Sequence, residues 1–166
     1  MTLQPPVPLN RSHDLSSFSS RVPVLDDWLK RRALTNQDSG ATRTFVVCQD
    51  AGVVAYYALA SGSVIASQAP GRFRRNMPDP IPVVVLARLA VDRRYQGRGL
   101  GRALFRDAAR RVTQAADTIG IRGIVVHAIS EEARKFYIAL GFDPCPAEAM
   151  TLVLTLRDIQ ATLEAS

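Results

Sequence analysis

The apolar run from Val83 to Val91 is followed closely by Arg94-Tyr95-Gln96-Gly97-Arg98-Gly99-Leu100-Gly101-Arg102, and this succession leaves few choices of fold. Near-continuous hydrophobicity over such a run reads as a strand buried on both faces, the central strand of its sheet. From Leu100 to Ile119 the pattern is helical. Arg102, Arg106 and Arg110 share one face at i, i+4 spacing, Leu100, Ala103, Leu104 and Ala108 supply packing, and Gly120 ends the segment. Between strand and helix, three glycines on alternate residues let the backbone turn tightly and bring its N–H groups close to an anion. The helix N-terminus adds positive potential there, so the loop has the makings of a pyrophosphate cradle.

Two common phosphate loops do not fit. A Walker A loop ends in Gly-Lys-Ser/Thr, and no lysine occurs between Arg31 and Arg134. A dinucleotide fingerprint needs a glycine three residues after its second glycine, where Arg102 stands. What remains is Gln/Arg-x-x-Gly-x-Gly/Ala, met by Gln96-Gly97-Arg98-Gly99-Leu100-Gly101. In its strand-loop-helix setting this segment resembles the coenzyme A loop of the GNAT family of N-acetyltransferases. The competing reading is a glycine-rich turn without a ligand.

Bulk properties bound the answer. The 166 residues suit one α/β domain, residues 1–166, with 47% hydrophobic and 22% charged residues as in a globular protein. No apolar run has membrane-span length, and Met1-Thr2-Leu3-Gln4-Pro5-Pro6 lacks the basic start and apolar stretch of a signal peptide, so a cytoplasmic protein is expected. Cys48 and Cys145 lie far apart, outside any CxxC pair or histidine cluster, so neither a zinc site nor a disulfide framework is expected, and no metal. His127, in the strand pattern Ile124 to Ile129, reads as a hydrogen-bonded structural residue. The formal net charge is +6, carried overwhelmingly by arginine, whose planar fork suits phosphate.

The rest of the chain reads as alternating short elements. Thr2 to Ser20 is an opening strand or extended arm. Val24 to Ala33 is an amphipathic helix with acids ahead of bases, and Asn36 to Thr42 a loop. Thr44 to Gln49 and Gly52 to Ala60 form a hairpin closed by Asp50-Ala51-Gly52, and Ser67 to Pro82 is a proline-rich loop bearing Arg72, Arg74 and Arg75. A strand from Gly123 to Ile129, a helix from Glu131 to Leu140 with Gly141 at its C′ position, a strand from Met150 to Leu156 and a terminal helix over Arg157 to Ser166 complete the pass.

A second signal follows the glycine loop at a suitable distance: Ala133-Arg134-Lys135-Phe136-Tyr137-Ile138-Ala139-Leu140-Gly141-Phe142. Its Ala-x-x-Phe-Tyr-x-x-x-Gly-Phe core is similar to the second block of the same family. The resemblance implies a GNAT fold: a single mixed, mostly antiparallel sheet splayed between the central strand and the next, flanked by helices. It implies acetyl-CoA as co-substrate, with pantetheine bonded by the amides of Leu89, Ala90 and Val91. The phosphates would lie on Gln96, Gly97, Arg98, Gly99, Leu100, Gly101 and Arg102, with Ala133 and Phe136 completing the cofactor site. By the same resemblance Tyr137 is the general acid that protonates the departing thiolate, an effect typically worth about a hundredfold or more. A backbone N–H of the central strand, that of Leu89, would stabilise the acetyl oxyanion. An aromatic pair that only packs a helix onto the sheet is the alternative for Phe136-Tyr137.

No carboxylate stands out as a general base. Asp92, Glu131 and Glu132 read as solvated charges at element ends. A lysine ammonium, with a pKa of about 10.4, would need such a base, whereas an α-amine near about 7.7–8 needs little help. Leu25-Asp26-Asp27-Trp28-Leu29, Asn36-Gln37, Thr42 to Val47, Tyr56 to Ala60 and Leu89 to Arg93 together resemble the toxin branch of the family. That branch acetylates the α-amine of aminoacyl-tRNA, blocks translation and pairs with ribbon-helix-helix antitoxins; the resemblance also implies a homodimer. One departure is Ser19-Ser20-Arg21-Val22-Pro23, where many relatives carry a Cys-Gly-like turn. Lys30, Arg31, Arg72, Arg74 and Arg75 are the candidates for the RNA backbone, against a reading as solvated charges or an antitoxin-docking face. Two further functions stay open at this point: an acetyltransferase of a protein N-terminus or small amine, and a noncatalytic acetyl-CoA- or RNA-binding module.

Overall fold

Pro23 pre-sets the backbone at the start of the first helix, Asp26 lies in its first turn, and Lys30 and Arg31 lie in its last, as the helix dipole favours. In the computed structural model, which describes residues 3–165, this helix is α1, Pro23–Arg31, with Leu25 and Leu29 on its buried face. A second helix, α2, Ala33–Ser39, occupies much of the span expected to be a loop. Its polar sequence hides it. Gly40, at φ +83°, accepts the left-handed turn and donates its N–H to the Asn36 carbonyl, so the helix ends on a favourable cap.

The strands are β1 (Val7–Pro8), β2 (Arg43–Gln49), β3 (Gly52–Val64), β4 (Ile81–Val91), β5 (Gly123–His127), β6 (Asp143–Pro144) and β7 (Thr151–Thr155). They form one mixed sheet in the order β1-β2-β3-β4-β5-β7-β6, flanked by helices, as the resemblance implied. The hairpin closes at Asp50, which takes φ +54°, and a register shift interrupts β2 and β3 between Val47 and Cys48. The parallel ladder between β4 and β5 is short. Val84 pairs with Ile124 and Val85 with Val125, and β4 continues past that ladder for six residues, Leu86 to Val91. The strand also corrects the expectation of burial on both faces: Ile81, Val83, Leu86 and Ala90 are buried, while Val84, Val85, Ala87, Leu89 and Val91 are half-buried.

The segment expected to be a plain loop before β4 holds a short 3-10 turn, Ala66–Gln68, and a four-residue helix, α3, Gly71–Arg74, pinned by buried Phe73. Proline density masked it, since Pro70 precedes this helix and does not break it. Helix α4, Leu100–Ala116, ends before Gly120, which is therefore not its cap. Its buried residues include Leu104, Phe105, Ala108, Ala109 and Val112; Leu100 is half-buried and Ala103 exposed, contrary to their assignment as packing residues. Helices α5, Glu131–Ala139, and α6, Leu156–Glu164, follow the expected order, and Gly141 sits at C′ with φ +105°. Thr2, the first residue of the expected arm, and Ser166, the last of the expected terminal helix, lie outside the described residues.

The chain divides into two compact units. One comprises residues up to Ala60 with Ala87–Ala108; the other comprises Ser61–Leu86 with residues from Ala109 onward. In the first, Leu9, Phe18, Leu25, Leu29, Ala33, Val46, Val53, Tyr56 and Ala90 form one core cluster. In the second, Ala69, Phe73, Ile81, Val83, Val125, Cys145 and Val153 form another. Cys145 is thus a small core residue, and both cysteines are free. His127 bonds Thr151 Oγ1 through Nδ1 at 3.1 Å, at the exposed end of β5.

Candidate functional site

In the first unit, β4 delivers the chain into a loop whose shape is set by two side chains. Asp92 is 1% exposed and caps the 3-10 turn Arg93–Tyr95. Its carboxylate accepts from the N–H of Arg94 at 2.9 Å, the N–H of Ser19 at 3.1 Å, and the Arg94 guanidinium at 2.9 and 3.3 Å. Burial alone would raise its pKa. The bonds from Arg94 and Ser19, with the Arg94 charge, more than offset this and hold the group below its ordinary value. The expectation of a solvated Asp92 is therefore overturned: it is a buried anchor whose lone pairs are already used, and so not a base. Glu131 and Glu132 are exposed, as expected.

Gln96 fixes the other end. Its side-chain amide donates to the carbonyls of Ser20 and Val91, both at 2.9 Å, so the side chain holds the loop and both of its N–H donors are spent. Gly97 and Gly99 then take φ +77° and +80°, a region that other residues enter at a cost, while open space surrounds both. The need for glycine here is conformational and not steric. Gly101 already lies within α4. Arg94 and Arg98 rest on Tyr95, with guanidinium carbons 5.9 and 5.4 Å from the ring centroid. A cavity of about 490 Å³ opens beside the loop, lined by Leu3, Gln49, Tyr95, Arg98, Gly99, Leu100 and Ala103. Arg98, Gly99 and Leu100 are sequence candidates; Arg102 is exposed on the first turn of α4.

The turn before α1 departs from a glycine-bearing pattern at a visible place. Arg21 takes φ +73°, and Ser20 donates through both N–H and hydroxyl to the Asp26 carboxylate. Those bonds hold a conformation that glycine would adopt without strain.

In the second unit, Ser130 caps α5 by accepting from the N–H of Ala133 at 3.1 Å, a device worth about 0.5–2 kcal/mol. The Ala133 N–H is therefore already paired. Tyr137 is 8% exposed, its ring edge-on to Phe136 at 5.2 Å and to Phe142 at 5.4 Å. Among the described residues its hydroxyl has no hydrogen-bond partner, and burial pushes its pKa above the ordinary phenol value. The hydroxyl is uncommitted among the described residues, while burial makes it a weaker acid than a free phenol. Phe136 is half-buried and packs against the tyrosine, so both members of the pair have packing contacts.

The basic candidates also separate. Lys30 and Arg31 are exposed in the last turn of α1, in the first unit. In the second unit, Arg72 is committed to Asp143 at 3.3 Å and Asp158 at 2.9 Å, while its carbonyl accepts from Arg122 at 2.6 Å. Arg74 and Arg75 are exposed. Sequence reasoning missed Arg88, a half-buried residue of β4 whose guanidinium carbon lies 5.3 Å from the centroid of the Trp28 ring. The signal was a single charge inside an apolar strand. Among the described residues no cluster of three or more metal-ligating side chains occurs, and no helix is long and apolar enough to cross a membrane.

Known proteins share both the sequence and the fold. Residues 40–144 match the family model described as Acetyltransferase (GNAT) domain. The chain is 54% identical over 155 residues to the tRNA-acetylating toxin of Mycobacterium tuberculosis (strain ATCC 25618 / H37Rv), the alignment covering 93% of each. Among solved structures, AtaT complexed with acetyl-methionyl-tRNAfMet matches with a TM-score of 0.89 at 27% identity, covering 96% of this chain and 98% of that one. A tyrosine-to-phenylalanine mutant of AtaT bound to the C-terminus of the antitoxin AtaR and acetyl-CoA matches with a TM-score of 0.84 at 26% identity, covering 99% of both.

Proposed function

The chain belongs to the GNAT family of acetyl-CoA-dependent N-acetyltransferases, and we propose that its acceptor is the α-amine of an aminoacyl-tRNA, so that it acts as a translation-blocking toxin. The observation that carries this reading is the 54% identity, across 93% of both chains, to a protein described as a tRNA-acetylating toxin. Residues 1–166 act as a single acetyltransferase domain in the cytoplasm, as a homodimer neutralised by a cognate ribbon-helix-helix antitoxin.

In this reading the amides of Leu89, Ala90 and Val91 hold pantetheine. The loop from Gln96 to Arg102 takes the pyrophosphate on its backbone N–H groups, with Arg98 and Arg102 supplying charge. Ala133 and Phe136 contribute packing. The neutral amine attacks the thioester carbonyl carbon; a C–N bond forms, the C–S bond breaks, and the nitrogen releases its proton to water. Tyr137 gives its phenolic proton to the leaving sulfur, yielding CoA as the thiol, and regains a proton from solvent. The Leu89 N–H stabilises the transient oxyanion. Asp92 is used up in anchoring the loop, which fits an acceptor whose amine is neutral without a carboxylate base.

The direct test is incubation of the protein with acetyl-CoA and charged tRNA, followed by identification of the released amino acid. N-acetylated amino acid is the expected product; acetylation of a polyamine or ribosomal protein, with none of charged tRNA, selects the alternative acceptors. Arg74 and Arg75, exposed on the end of α3, are assigned to the RNA backbone with Lys30 and Arg31. Arg72 is set aside to brace α3 through its two aspartates. Neutralising Arg74 and Arg75 weakens tRNA acetylation, and lowers the slope of log affinity against log salt by about one for each phosphate that is no longer neutralised. Acetyl-CoA binding stays unchanged. An unaltered salt slope would remove these residues from the RNA-binding face.

A further inference from the structure

Arg88 is the one charged residue in β4, between Ala87 and Leu89. The interior of a strand is an expensive place for a guanidinium, and a packing role alone would be served by an apolar side chain. Alternation along the strand puts Arg88 on the same face as Leu86 and Ala90, and Ala90 packs with Leu25, Leu29 and Tyr56. On that face the guanidinium lies against the Trp28 indole. The indole in turn stacks on Tyr56, centroids 6.0 Å apart and planes 12° from parallel, and the Tyr56 hydroxyl donates to the Leu25 carbonyl at 2.7 Å. The ring stack holds the guanidinium by attraction to its charge and leaves its N–H donors unspent.

Among the described residues those donors are unmatched. Nε is buried and has no hydrogen-bond partner, and among the described residues no carboxylate forms an ion pair with Arg88. Of the two acids on α1, Asp26 is bonded to Ser20, and Asp27 is exposed. Buried unpaired donors are few in native proteins, and a planar fork beside the segment assigned to the thioester suits an incoming oxygen acceptor.

We infer that Arg88 is a substrate-binding residue: its guanidinium donates to an oxygen of the acceptor's charged 3′ end, either the acyl ester carbonyl or the adjacent phosphate. The inference rests on the aminoacyl-tRNA reading. It gives the acceptor a fixed point one residue before Leu89, with Trp28 setting the plane of the fork.

The test uses Arg88→Met, which keeps an unbranched stem against Trp28 without donors, and Arg88→Lys, which keeps the charge without the fork. Steady-state rates are measured on charged tRNA and on an aminoacyl-adenosine that carries the ester and no phosphate. Acetyl-CoA affinity and thermal midpoint are read in parallel. Arg88→Met raises KM for charged tRNA by about tenfold to a hundredfold, the effect of one missing charge-assisted hydrogen bond, with acetyl-CoA affinity and thermal midpoint unchanged. Arg88→Lys recovers part of the loss. A penalty that persists on aminoacyl-adenosine assigns the ester carbonyl; one confined to tRNA assigns the phosphate. An unchanged KM in Arg88→Met, or a loss of thermal midpoint with no change in KM, overturns the inference while leaving tRNA acetylation standing. A wild-type protein that fails to acetylate charged tRNA overturns both.

Discussion

Tyr137→Phe lowers kcat for acetyl transfer by about a hundredfold or more, while acetyl-CoA affinity and thermal midpoint stay at the wild-type level. The asymmetry follows from where the hydroxyl sits. The ring is buried edge-on against Phe136 and Phe142, and phenylalanine keeps both contacts. The deleted hydroxyl has no hydrogen-bond partner among the described residues, so no donor or acceptor of the protein is orphaned. What disappears is the hydroxyl proposed to protonate the leaving sulfur. The measurement is a kcat comparison on charged tRNA, with titration of acetyl-CoA and a thermal melt on the same preparations. A kcat within about threefold of wild type, far short of a general-acid contribution, would remove Tyr137 from the proton path. A large loss of thermal midpoint would mean that the hydroxyl supports the fold.

The second large effect is on stability. Gly123, the first residue of β5, pairs with Thr155 of β7, and a Cβ placed there would stand 1.9 Å from the Leu154 carbonyl oxygen and 2.9 Å from its carbon. The obstacle is backbone, so relief requires the two strands to move apart and loosen their ladder. Gly123→Ala therefore destabilises the protein by about 3 kcal/mol, at the upper end of overpacking costs. Equilibrium urea unfolding reads this as a fall in the midpoint at constant m. A midpoint unchanged from wild type would show that the ladder yields there at no cost. Gly99 is the contrasting case, since its surroundings are open and only its φ of +80° is demanding.

What could be read from the chain, and what could not, divides by range. The strand, glycine loop and helix from Val83 onward were legible because each depends on neighbours a few residues away: hydrophobic run, φ-permissive glycines, periodic side chains. The hairpin at Asp50 was legible for the same reason. Helix α2 was hidden because its polar residues carry no strong period, and its signal is the cap at Gly40, one residue past the helix. Asp92 was misread because its burial depends on Ser19, 73 residues away in the chain. Arg88 was a lone charge in an apolar strand, but its hold by Trp28, 60 residues away in the chain, was not legible locally. The glycine loop was thus largely visible in the sequence, while the placement of Asp92, which anchors it, and of Arg88 was specified by long-range packing.

The order in which the chain emerges during synthesis gives the interleaved units a further meaning. The first unit draws on residues up to Ala60 and then on Ala87–Ala108, with Ser61–Leu86 given to the second unit between them. A nascent chain that ends between Ala90 and residue 108 holds every residue of the first core cluster but lacks part of α4, and one that ends before Tyr137 lacks the residue proposed as proton donor. Neither unit is a contiguous stretch that a truncation could deliver intact. A chain cut anywhere between residues 61 and 108 therefore carries part of each unit and the whole of neither.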